Sequence, residues 1–377
     1  MTSYRFRAMP LTPIHVGSGE FLAPEDYLIL KDKLIRFDRT AVLREMKPEQ
    51  RHEFEAALDR NAFAAAQEIL RAAVKLERHT HSRIAISEES RNDLLTLVKN
   101  PESPAHDRAV YPFVFNVIEG RPYLPGSSLK GAIRTALVNH FTGQQFTAIA
   151  PEVAREKEKR RKWRVLESKA LNFEFNRTEA DPLHLLKVAD APLPVDSTRL
   201  DRALQLQRGG EAVDAQAHYE RLFCRGDDAE IAFTVAIEFD QTAASHPHTK
   251  WGRQLNMELI RSACNVFYLR RMRAEQRHFF AEDMLPEARY GAQGLIRFQA
   301  DKLLVIKSIQ ERGMLLRLGR FSHFESLSVD ELREGWNIRK KEPIKDMGSR
   351  RMLCRCLSEV RGGRMALPFG WLLLLQE

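Results

Sequence analysis

The chain has 377 residues, 59 Lys and Arg against 51 Asp and Glu for a formal charge of +8, and 44% hydrophobic residues. At roughly 100 to 200 residues per domain this describes two or three globular domains and excludes a disordered or fibrous chain. No run of 18 apolar residues occurs and the start, MTSYRFRAMP, lacks a signal peptide's apolar stretch, so a cytoplasmic protein without membrane contact is expected.

In chain order, residues 4–10 (YRFRAMP) alternate apolar and basic side chains, which predicts a strand running into the glycine-bearing loop TPIHVGSGE. Two apolar runs around Lys31, Asp32 and Lys33 predict a hairpin over 27–37. From Pro48, Phe54, Leu58, Ala62, Ala65, Ile69 and Ala73 recur at helical spacing, with a break expected near Asn61. His79 and His81 flank Thr80 without an accompanying carboxylate motif and read as a surface loop rather than metal ligands. A second hairpin over 110–124, turning at Glu119 and Gly120, leads into PGSSLKGAIRTALVNHF. There Ser127 or Ser128 is expected to cap a helix whose apolar positions include Leu129, Ile133, Leu137 and Phe141.

Residues 155–164 (REKEKRRKWR) carry seven basic and two acidic side chains. The block is either an electrostatic footprint for an acidic partner or a solvated helix in which Glu156 and Glu158 pair with bases three or four residues on. Strands are predicted at 184–189, 230–239, 302–307 (KLLVIK), 313–319, 351–357 and 371–376, with a long Arg-rich helix over 251–283. Cys224, Cys264, Cys354 and Cys356 show no zinc-site spacing and read as ordinary thiols of a reducing compartment.

Hairpins and helices without strict strand-helix alternation predict an α+β chain of two ferredoxin-like (RRM-like) modules in tandem with helical insertions. The expected division is an N-terminal module at 1–150, a basic insertion or linker at 151–180, and a C-terminal module with the long helix at 181–377. HVGSGE (15–20) and RLGRFSHFES (317–326) both place Gly, Ser and His just after a strand, as duplicated modules do.

Gly17 and Gly19 around Ser18 let backbone N–H groups approach an anion, with His15 just upstream. PGSSLKG places two serines and Lys130 in the first turn of a helix, with Arg134 one turn on, where phosphate is favoured. It is no nucleotide-binding P-loop, because GxxxxGK[ST] is absent. Arg350, Arg351, Arg361 and Arg364 surround Gly362 and Gly363 in a pattern suited to phosphate. Phe369 and Trp371 are read as core rather than as base-stacking rings.

TPIHVGSGE, YLILKDKLIRFD, YLPGSSLKGAIRTAL, LLKVADA and the closing PFGW resemble the repeat-associated mysterious protein (RAMP) superfamily of CRISPR systems. Within it, length and motif order look most like the type III-A (Csm) effector subunit that caps the crRNA 3′ end. The resemblance implies ferredoxin-like modules that bind crRNA through glycine loops and basic helices, assisting crRNA maturation and complex assembly in antiviral defence. It implies as partners the crRNA and other type III effector subunits, especially the backbone subunit, with trimming nucleases as separate proteins. No cofactor or metal is implied. Gly17, Ser18, Gly19, Ser127, Ser128, Lys130 and Arg134, with Arg320, Arg361 and Arg364, become the RNA-binding candidates. The second loop, LGRFSHFES, is poorer in glycine than in relatives.

Two alternatives stand beside this reading. A metal-independent CRISPR endoribonuclease would use His15 or His323 on the ribose 2′-OH and Lys130 on the phosphorane. A target-RNA-cleaving backbone subunit would use an early-loop acid, with Glu20, Glu25 and Asp26 available.

Overall fold

The computed structural model describes residues 2–100, 107–174, 180–208, 212–225, 227, 231–240, 255–280, 287–333, 335–337, 341–344, 347–358 and 363–377. In strand Phe233–Phe239 the odd-numbered residues Phe233, Val235, Ile237 and Phe239 are buried, while Thr234 and Glu238 are exposed. This period of two lays one face on the core and sets the register against Thr2–Pro10, with Phe6 opposite Val235. The first sheet runs in the order Met314–Arg317, Trp371–Gln376, Thr2–Pro10, Phe233–Phe239, Leu186–Val188, with every neighbouring pair antiparallel. Helices Gly126–Gln144 and Met257–Phe279 share its core through Leu129, Ile133, Leu137, Phe141, Ile260 and Phe267. Strand, helix, two strands and helix thus follow one another as in a ferredoxin-like module, and the last strand of the chain takes the fourth position beside Thr2–Pro10.

The second sheet has the order Gly363–Pro368, Arg350–Ser358, Thr198–Gln207, Thr80–Ile86, Lys33–Phe37, Tyr27–Leu30. Ala212–Leu222 pairs with Thr198–Gln207 and with the short strand Val110–Tyr111. The architecture is the expected α+β arrangement of tandem ferredoxin-like modules with helical insertions. Both sheets take strands from either side of residues 151–180.

Local expectations fare unevenly. The 27–37 hairpin turns at Lys31 and Asp32, with Leu30 opposite Lys33. The helix after Pro48 breaks at Asn61, whose φ of 56° is left-handed, into Pro48–Asp59 and Phe63–Ala72. KLLVIK at 302–307 is not a strand; it lies inside helix Glu287–Gln310, where Phe298, Asp301, Val305 and Ser308 are buried at helical spacing and Leu303 is exposed. A short apolar run does not by itself distinguish the two periods. His79 is not in a surface loop: it ends helix Leu76–His79, is buried, and its Nδ1 accepts from the Lys75 N–H at 3.0 Å, while His81 sits in strand Thr80–Ile86.

The basic block enters helix Lys159–Leu171, and Arg161 pairs with Glu158 at 2.9 Å, three residues apart. The Arg-rich helix is Met257–Phe279; 251–254 and 281–283 of the expected span, and residue 230 of the expected strand, lie outside the described residues. Phe369 and Trp371 are core, as read. Unanticipated was the long hairpin Thr198–Gln207 and Ala212–Leu222, whose alternation is broken by inward-facing charges: buried Arg221 pairs with Asp201 and Asp227.

Candidate nucleic-acid interface

The first glycine loop is anchored at the meeting of the two sheets. The Pro13 carbonyl accepts from the Gly370 N–H, the Ile14 carbonyl from Leu222, the His15 carbonyl from Arg320 and the Val16 carbonyl from Val114. The His15–Arg320 bond, 3.0 Å long, joins the two loops that the sequence paired by composition. Gly319 makes the approach possible: its φ is 91°, and a Cβ there would stand 2.5 Å from the His15 carbonyl oxygen.

Helix Gly126–Gln144 points its first turn at the same place. Its N-cap is Pro125, without a side-chain cap, so neither Ser127 nor Ser128 caps it as expected. The Asp190 carboxylate instead accepts from the Gly126 N–H at 2.7 Å. Gly126 lets strand Leu186–Val188 lie against this end, since a Cβ would fall 2.1 Å from the Val188 carbonyl oxygen. With the capping role taken by Asp190, both serines line a cavity.

That cavity, of about 510 Å³, is lined by Val16, Gly17 and Gly19 from the first loop, Ser127, Ser128, Gly131 and Thr135 from the helix, and Arg317, Gly319, Arg320 and Ser322 from the second. Five RNA-binding candidates, Gly17, Gly19, Ser127, Ser128 and Arg320, therefore meet at one opening. Ser18 is exposed between the two glycines, and its Oγ accepts from the Glu20 N–H at 3.4 Å. Lys130 is half-buried on the same helix, its pKa lowered by burial and by Arg134 but supported by Asp181. Arg134 is committed elsewhere, to Glu167 and to Asp181, the latter at 2.6 Å. Arg364 lies in strand Gly363–Pro368 opposite Leu357, in the second sheet, and Arg361 lies outside the described residues.

Two cations near the opening have contrasting surroundings. Arg320 is exposed, its guanidinium 5.1 Å from the centre of the Tyr111 ring and 5.7 Å from that of Tyr219; the two rings stack at 4.7 Å. Arg317 is buried: its Nη2 lies 2.8 Å from Glu275 Oε1, its guanidinium covers the Trp371 indole, and among the described residues its Nη1 has no hydrogen-bond partner. Glu275 also binds Arg351 at 2.7 Å and the Trp371 indole N–H at 2.8 Å, and Arg351 reaches Glu325 at 2.5 Å. Sequence reasoning missed Arg317 and Glu275; the available signal was one charge inside the otherwise apolar MLLRL.

The two histidines and two of the early-loop acids considered for catalysis are engaged separately. Burial holds His15 down at about 4, against the raising effect of its hydrogen bond to the Glu220 carbonyl at 2.7 Å, so at neutral pH its Nδ1–H donates to that carbonyl. Burial, with Arg317 and Arg351, lowers His323 strongly, and its Nε2 accepts from the Met352 N–H at 3.5 Å. Asp26 accepts from the Ala23 N–H at 3.0 Å and stands 3.6 Å from Arg39. Glu25 accepts from Gln67 at 2.6 Å. Among the described residues no cluster of three or more His, Cys, Asp or Glu is placed to hold a metal, and no helix is long and apolar enough to cross a membrane.

The family model of the RAMP superfamily matches residues 8–272, which includes the first loop, the serine-lysine helix and, of the first sheet, strands Leu186–Val188 and Phe233–Phe239 with the end of Thr2–Pro10. The chain belongs to the RAMP superfamily. A Csm5 protein of a Streptococcus thermophilus CRISPR system is 30% identical over 141 residues, a match covering 36% of this chain and 38% of that protein. The fold is similar along its length to a chain in the cryo-EM structure of a Csm–crRNA–target RNA ternary complex of a type III-A CRISPR-Cas system. The TM-score is 0.63 at 18% identity, over 99% of this RAMP chain and 100% of the other. It is also similar to the crystal structure of T. onnurineus Csm5, with a TM-score of 0.58 at 16% identity over 97% and 99% of the two chains.

Proposed function

We propose that this RAMP protein is an RNA-binding subunit of a type III-A CRISPR ribonucleoprotein, holding the crRNA 3′ end and assisting crRNA maturation and complex assembly. The observation that carries the reading is the cavity where both glycine loops meet the first turn of helix Gly126–Gln144. Backbone N–H groups, two hydroxyls and exposed Arg320 give an RNA backbone neutral donors and one cation, a set suited to phosphate and ribose irrespective of sequence. The names of its relatives supply the choice of crRNA as the RNA. The other effector subunits, especially the backbone subunit, are the protein partners in this reading, and trimming nucleases act as separate proteins.

The chemistry favours holding over cutting. A general base works best with a pKa near the working pH, and His15 at about 4, with Nδ1–H given to a carbonyl, is poorly matched to that task. The test is fluorescence anisotropy with single-stranded RNA over a salt series, with gels in EDTA and in Mg²⁺. Binding that weakens with salt and Arg320→Ala, without cleavage, is expected. Cleavage abolished by His15→Ala would return the endoribonuclease reading.

A further inference from the structure

Gly19 borders a second cavity as well as the first. This one, of about 540 Å³, lies among the residues after Gly19, strand Lys33–Phe37 and the start of helix Arg39–Glu45, with His81 on its wall. At Gly19, φ is 94° and open space surrounds the position of a Cβ, so the backbone between the two openings is unobstructed by a side chain.

Three groups on the walls face the opening. Phe21 is 55% exposed, and its ring only tilts against Tyr111, at 6.3 Å and 55°, so a face of the phenyl stays open to solvent. Arg36 is half-buried and has no ion-pair partner among the described residues. His81, whose ring tilts against Phe115 at 5.8 Å and whose pKa is lowered by burial and by Arg36 against the opposing pull of Asp38, presents an imidazole able to donate and to accept. Of the remaining charges, Asp26 holds the Ala23 N–H and Arg39, Asp38 accepts from the Ala41 N–H, and the Glu20 carboxylate stands exposed at the rim.

We propose that this second cavity receives one unpaired nucleotide of the RNA where the strand passes Gly19, its base stacked on Phe21 and its phosphate paired with Arg36. The inference rests on the RNA-binding reading above. An exposed ring beside an unpaired guanidinium, in an opening of nucleotide size, is the pairing that holds a single-stranded base without reading its sequence. The carboxylates near the wall favour the amino edge of a base over a second phosphate deep in the cavity.

The experiment places 2-aminopurine at successive positions of a single-stranded RNA and follows its fluorescence on binding to the full chain. Quenching at one position, lost in Phe21→Ala and retained in Phe21→Trp, is expected. Phe21→Ala should weaken binding roughly tenfold, and Arg36→Gln should lower the salt slope by about 0.7. Thermal unfolding of Phe21→Ala should match wild type, because the ring is exposed. Wild-type binding with no position quenched, or quenching indifferent to Phe21, overturns the second cavity alone. A wild-type chain that binds no RNA overturns the RNA-binding reading and this site with it. Phe21→Ala that leaves RNA binding intact but weakens association with the other effector subunits overturns the nucleotide in favour of a protein contact.

Discussion

Lys130 and Arg134 stand one turn apart on the same helix and meet opposite fates. Arg134 is locked to Glu167 and Asp181, residues 33 and 47 positions away in sequence, and its guanidinium also lies 5.8 Å from the centre of the Phe173 ring. Among the described residues Lys130 has no such pair of carboxylates, and it stays half-buried beside the serine turn. The second loop repeats the contrast, with Arg317 buried on Glu275 and Arg320, three residues later, exposed over two tyrosines. A cation near a glycine loop is thus either a strut or a contact, and distant acids decide which.

The sharpest way to break that distinction is at the buried cluster. Glu275→Gln leaves the buried Arg317 and Arg351 without their shared charge, and should cost about 3–5 kcal/mol of unfolding free energy in urea. A loss below about 1 kcal/mol would mean that these arginines are held by other means. Next in size, Arg134→Ala strands Glu167, which is buried, and should cost about 1–3 kcal/mol while leaving the salt slope of RNA binding unchanged. Lys130→Ala should do the reverse, lowering that slope by about 0.7 with stability held within about 0.5 kcal/mol. If both variants shift stability alone, the first turn of the helix is not part of the RNA site.

What was legible in the chain follows from the range of the interactions. The 27–37 hairpin, the break at Asn61 and strand Phe233–Phe239 are written in local periodicity and turn chemistry, and all appear where expected. The loops of 15–20 and 317–326 were recognisable by composition, but their meeting through the His15 carbonyl and Arg320 N–H joins residues some 300 positions apart, which no local pattern encodes. Arg134 was selected for RNA because the acids that neutralise it come from other elements. The serine cap failed for the same reason, Asp190 arriving from a turn beyond the helix to take the N-terminus. KLLVIK failed on period, because six apolar-rich residues, fewer than two helical turns, fit a strand as well as a helix. The long hairpin was hidden by its buried ion pairs, which read as polar surface until Arg221 finds Asp201 and Asp227.

The smallest effect concerns the anchor of the first loop, where two buried groups titrate against each other. Burial holds His15 near 4 instead of its ordinary 6.5, so between those values the unfolded chain binds the proton that the folded chain lacks, and stability rises with pH. Glu220, whose carbonyl receives the His15 N–H, runs the other way. Burial raises its carboxyl to about 7 from 4.5, against hydrogen bonds from Thr198 and the Phe113 N–H that favour the charged form. Between 4.5 and about 7 the folded chain keeps a proton that the unfolded chain has released, and stability falls as pH rises. The two slopes oppose one another over most of the same window. Glu220→Gln removes the falling one, its amide oxygen still able to accept from the Phe113 N–H and its NH2 to donate to the Thr198 hydroxyl, so its unfolding midpoint should climb more steeply than wild type from pH 4.5 to 6.5. Parallel pH profiles for the two proteins would show that Glu220 is ionised in the folded chain throughout, and that the loop is held by a carboxylate rather than by a neutral acid.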